Sequence, residues 1–146
     1  MNQLVYEKSV SHKGYLIVPF VYALANSEVI YSYALLCEVG HKGKFHKAEN
    51  PSGIFSSKIA TILEIAKEHL DLHSDIFNPV DSFKNRYTYL DNLIVVYQIS
   101  GKYFYDHYKP DSLNNVAAPR IFKTESDCLA WIKNGLDRSL AEESRN

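Results

Sequence analysis

Two histidines, His69 and His73, stand four residues apart in the stretch HLDLH. On a helix this spacing puts both imidazoles on one side, as in a two-histidine metal site. A metal needs a third ligand. Glu64, Glu68 and Asp71 fall near the opposite side of such a helix, which leaves Asp75, just beyond it. Both histidines also border an apolar stripe, where hydrogen bonds to backbone or tyrosine give them a structural role. The structural role is the expectation, with no cofactor, and a metal held by His69, His73 and Asp75 is the alternative.

A second group lies in HKGKFHK, where Lys42, Lys44, His46 and Lys47 surround Phe45 beside Gly40 and Gly43. Backbone N–H groups freed by glycine, with cations and an aromatic ring, suit an anion or a single-stranded nucleic acid. The run is not the phosphate-cradling G-x-x-x-x-G-K-[ST]. Exposed lysines are also strongly screened by salt. Loop 40–53 is therefore an alternative anion- or nucleic-acid-binding site.

A third group is KYFYDHY. As a strand it sends Tyr103, Tyr105 and His107 to one face and Phe104, Asp106 and Tyr108 to the other. One face covers the core and the other offers an aromatic ladder, in a setting where tyrosine favours protein contact. Trp131 is the single tryptophan. With the helix stripe drawn through Leu129, Ile132, Leu136 and Leu140, Trp131 projects roughly opposite, beside Cys128 and Gly135. A large ring is seldom left in water without reason, so Trp131 either packs internally against the N-terminal segment or the tail or belongs to an interface. Trp131, Tyr103, Tyr105 and His107 are thus the candidate partner-binding residues. No catalytic residue is singled out: there is no G-x-S-x-G, and neither cysteine has a reactive context.

The elements that must hold these groups follow from periodicity and turn residues. Strands are expected over Gln3–Glu7, Tyr15–Ala25, Val29–Val39, Arg86–Leu90, Leu93–Ile99 and Lys102–Tyr108. Pro19 marks the second as an edge or a bulge. Val29–Val39 is apolar on both faces and belongs in the middle of a sheet. Helices are expected from about Ser57 to His73 and from about Glu125 to Leu140, capped by Ser57 and by Thr124 with Asp127.

The two halves follow one plan. Ile54-Phe55 and Ile121-Phe122 precede hydroxyl caps at one constant offset, and Ile62/Leu129 and Ile65/Ile132 share it. Neither half can bury its apolar face alone. The expected fold is α+β: one domain built from halves of about 1–76 and 84–141, with a frayed tail over 142–146. Two hairpin–helix (ββ(β)α) units would form one mainly antiparallel sheet with both helices on one face. Lys13–Tyr15, Ile54–Ser57 and Ile121–Thr124 resemble short bacterial proteins of uncharacterised function built from β-hairpin–helix units. That resemblance implies a fold and no catalytic residues.

Composition bounds the rest. The chain has 146 residues, 46% hydrophobic and 23% charged, with a formal net charge of −1. Such a length buries roughly 68–70% of its unfolded surface without staples. The near-neutral charge provides no global field for nucleic acid. Eleven tyrosines and seven phenylalanines fit a strand-rich core. The opening MNQLVYEKSV lacks a basic start followed by an apolar run, and no run spans a membrane, so a cytoplasmic setting with reduced thiols is expected. The functional expectation is a small non-enzymatic interaction protein, a toxin neutraliser or enzyme regulator in its specific form. It would bind a protein partner or self-associate as a homodimer.

Overall fold

The computed structural model describes residues 3–38, 45–49, 55–73 and 83–144; the side chains at 37–38, 45–49, 73 and 144 lie outside that description. Its elements are β1 (Val10–His12), β2 (Tyr15–Ala25), β3 (Glu28–Glu38), β4 (Phe45–Glu49), α1 (Ile59–His73), β5 (Arg86–Tyr89), β6 (Asn92–Ile99), β7 (Lys102–Tyr108) and α2 (Glu125–Ser144). The class is α+β. The chain divides into two compact units, Met1–Lys84 with Pro110–Leu113, and Asn85–Lys109 with Asn114–Asn146.

Two-residue loops close the hairpins, and each uses positive φ at both positions. They are Lys13-Gly14 (50° and 83°), Asn26-Ser27 (52° and 67°), Leu90-Asp91 (48° and 63°) and Ser100-Gly101 (52° and 79°). This mirror-image turn matches the right-handed twist of the strands it joins. Gly, Asn, Asp and Ser bear such torsions readily. Leu90 does not, and its turn is held by other means described below.

In the first unit β1, β2, β3 and β4 form one antiparallel sheet in that order. β3 is central and buried on both faces: Tyr33 and Leu35 on one, Ser32, Ala34 and Leu36 on the other. The first face joins Ile17 of β2 to pack on Ile62, Ala66 and Leu70 of α1. Pro19 pairs with Tyr33, and its C=O accepts the Val5 N–H at 2.8 Å, so its missing donor faces the N-terminal segment. The bulge falls after it, between Val21 and Ala23. Gln3–Glu7 is not the strand expected. It contributes one bridge, Leu4 to Phe20, then a 3-10 turn at Tyr6–Lys8. Leu4 N–H donates to Pro110 C=O and the Tyr6 hydroxyl to Ser112 C=O, which ties the 110–113 segment to this unit. β4 arises within the stretch expected to be loop. The helix starts two residues late: Ser56 Oγ, rather than Ser57, accepts the Lys58 N–H at 3.1 Å.

In the second unit β5, β6 and β7 form a three-stranded antiparallel sheet. One face, with Ile94, Val96 and Tyr105, packs on Cys128 and Ile132 of α2. On the opposite face Leu93 and Val95 are fully buried. Thr124 caps α2 as expected, its Oγ1 accepting the Asp127 N–H at 3.1 Å. α2 continues to Ser144, so the expected frayed tail is helical over most of its length.

The strands do not form the single merged sheet expected. Among the described residues the ladders form two sheets, and in each the segment before the helix returns to pair with a strand. Tyr31 of β3 exchanges both backbone hydrogen bonds with Ser56, at 2.7 and 3.1 Å. Tyr103 of β7 does the same with Phe122, both at 2.9 Å, and His107 C=O accepts the Val116 N–H. Each bridge thus immediately precedes its helix. From these anchors the core-facing positions line up as Ile62 with Cys128, Ala66 with Ile132 and Leu70 with the half-buried Leu136. The match drawn from sequence was one residue out of register.

Candidate binding site

That register shift changes the setting of Trp131. Its counterpart on α1 is Ile65, half-buried, and not the exposed Glu64. The buried line of α2 runs through Cys128 and Ile132, with Leu129 and Leu136 on one flank and Trp131 on the other. The indole therefore does not stand opposite the core. It closes one edge of it.

Trp131 packs at ring-centroid distances of 6.1 Å from Tyr105 and 5.8 Å from Phe122, and those two rings lie 6.2 Å apart. All three pairs are tilted, the arrangement ring quadrupoles prefer. Phe122 is placed by its backbone bridge to β7, and Tyr105 by the β6–β7 ladder. Arg120, two residues before Phe122, lays its guanidinium over both rings, 5.1 Å from the indole and 5.7 Å from Phe122. Arg120 itself is exposed, and among the described residues no carboxylate pairs with it. Gly135, one turn along α2, leaves the helix bare beside the indole: a Cβ there would meet nothing within 4 Å. The arrangement is an exposed cation beside aromatic rings, with a bare stretch of helix on the same flank.

The other residues expected to meet a partner are engaged within their own unit. Tyr105 is 6% exposed. Its hydroxyl accepts the Ala118 N–H at 2.9 Å, and burial holds the phenol above its ordinary range. Tyr103 packs on the α2 core. His107 donates from Nε2 to Asn92 Oδ1 at 2.9 Å, while the Asn92 amide donates to Leu90 C=O (2.8 Å) and Tyr89 C=O (3.3 Å). Thus Tyr103, Tyr105 and His107 lie on the face that α2 covers, which corrects the view of that face as an open ladder. Burial, and secondarily Lys109, lowers the His107 pKa.

The thiol of Cys128 is free, fully buried and pushed up to about 11 by burial, then by Glu125. It is a packing group, not a nucleophile. Two phenols fasten the sheet to α2: Tyr87 donates to Glu125 and Tyr89 to Asp137, each at 2.7 Å. Lys133 lies over the Tyr89 ring at 5.4 Å. In the first unit Asp71 of α1 binds His12 (2.7 Å) and Lys13 (3.1 Å) at the β1–β2 turn, and these hold its carboxyl below the usual range, His12 the more.

The alternative sites fall largely beyond the description. Lys42 and Lys44 lie outside the described residues. His46 and Lys47 stand on β4, opposite Cys37 and Leu36, with side chains not described. Asp75 and the His73 side chain are likewise outside, and His69 is half-buried on α1. Among the described residues no three His, Cys, Asp or Glu side chains gather to hold a metal, and no helix is long and apolar enough to cross a membrane.

Fold and site together define a small α+β protein with an aromatic, arginine-roofed corner. No protein-family model, curated protein or solved structure matches the chain.

Proposed function

We propose that this is a non-catalytic cytoplasmic protein that acts by protein–protein contact, and that the Trp131 corner of α2 is the contact. The observation that carries the reading is the half-buried indole with an exposed arginine, paired with no acid among the described residues, 5.1 Å from its ring centre. Trp, Tyr and Arg are the residues on which binding energy concentrates at interfaces, because large rigid surfaces lose little entropy when covered. A ring anchored by Tyr105 and Phe122 is already held in place before a partner arrives. The buried free thiol fits a reducing compartment. Both units, each with a strand bridged to a residue shortly before its helix and a line of helix positions facing the sheet, support a finer reading as two hairpin–helix repeats.

A photo-crosslinking amino acid at Asn134, exposed three residues from Trp131 on the same flank, tests the site in the cells that make the protein. The same group at exposed Thr88 on β5 is the control. A discrete adduct from position 134 that is lost with Arg120→Glu is expected. Equal adducts from both positions, or an adduct indifferent to Arg120→Glu, would reject this corner as the contact.

A further inference from the structure

The corner also constrains what it meets. We propose that it receives a segment of a protein partner that places a carboxylate on Arg120 and an apolar side chain in the space over Gly135, against the indole. The inference rests on the contact reading above and names the partner's chemistry.

Three observations carry it. Arg120 holds its guanidinium 5.1 Å from the Trp131 ring centre and 5.7 Å from that of Phe122, so the cation already sits at the aromatic corner before a partner arrives. An exposed guanidinium is matched by a carboxylate, which can accept two parallel N–H bonds. Among the described residues no acid of the chain occupies that place, although Tyr87 and Tyr89 engage Glu125 and Asp137 nearby on α2. The apolar half of the site is geometric. Gly135 follows Trp131 by four residues on the same flank, and nothing lies within 4 Å of where its Cβ would be. An apolar side chain from outside placed on the bare helix there would lie on the same flank as the indole and would strengthen the adjacent ion pair by excluding water.

The experiment uses the full chain against a displayed library of random peptides, followed by synthetic peptides of the selected sequence with each Asp or Glu replaced by Asn or Gln. The variants are Arg120→Gln and Gly135→Leu. Leucine has the higher helix propensity and fills the space, so Gly135→Leu keeps the fold while blocking the site; thermal unfolding verifies this for both. The selected peptides are expected to share an acidic residue beside an apolar one. Affinity should fall about tenfold or more with Arg120→Gln and with the matching acid-to-amide peptide, and the two losses should not add. Gly135→Leu should abolish binding. Peptides blocked by Gly135→Leu yet indifferent to Arg120→Gln would overturn the carboxylate and leave the contact reading standing. Peptides indifferent to both variants, no retained peptide, or a chain that dimerises in sedimentation and becomes monomeric with Gly135→Leu would overturn the proposal of an acidic partner segment.

Discussion

Leu90 sits at a φ of 48°, a torsion that costs a branched residue roughly 1–2 kcal/mol. The turn persists because the Asn92 amide donates to the Tyr89 and Leu90 carbonyls while its own oxygen accepts a hydrogen bond from the His107 ring. Leu90 is 44% exposed, so little packing is lost on replacing it. Leu90→Asn should therefore raise stability by roughly 1 kcal/mol, read as a higher urea midpoint with unchanged slope. His107 makes the same network sensitive to pH. Its folded pKa is lowered from 6.5, so around and below that value the unfolded chain binds the proton more readily than the folded one. Stability is complete above about pH 6.5 and is lost as pH falls through the region below it. Urea unfolding at pH 7.5 and 5.5 should show the loss, and His107→Gln should flatten it. A wild-type midpoint that rises on acidification would contradict the assignment. None of this was legible in YFYDHY: both faces of β7 carry aromatic and polar groups, and only the partner Asn92, fifteen residues earlier, shows which way His107 is turned.

At the scale of elements most turns and strands were legible, because turn residues such as Gly and Asn and alternating apolar residues are local signals; the β5–β6 turn was not, since Leu90, expected to end the strand, opens the turn. β2 and β7 begin and end where their patterns do. β4 was not, since FHKAE is polar and short and owes its conformation to the neighbouring edge of β3. The face of α2 was misplaced for a comparable reason. Leu129, Leu136 and Leu140 drew the stripe toward one flank, while the most buried residue is Cys128, which a hydropathy pattern weighs lightly. Leu140 is 50% exposed and Ile132 is 4% exposed. Ile132→Ala should accordingly cost about 2–5 kcal/mol, and Leu140→Ala less than about 0.5 kcal/mol. Thermal or urea unfolding of the pair checks the assignment, and equal losses would restore the stripe centred on the leucines.

Across the whole molecule, pattern alone suggested two similar halves, and the α+β class follows from it. The merging of their strands did not, because whether a sheet edge is free depends on what returns to cover it. Here Ser56 and Phe122 return to cover their own. The same return of Phe122 carries Arg120 onto Trp131, a contact between residues eleven apart that no motif announces. On the contact reading proposed above, recognition would rest on the corner formed by Trp131, Phe122 and Arg120, rather than on a row of tyrosines. Because Trp131 is the only tryptophan, its emission reports on that edge alone. The most direct test is the fluorescence of the full chain with and without the protein cross-linked at position 134. The account predicts a blue shift and protection from acrylamide quenching on binding, both lost with Arg120→Glu. Emission and quenching unchanged in a complex of demonstrated stoichiometry would show that the indole is not where the partner binds.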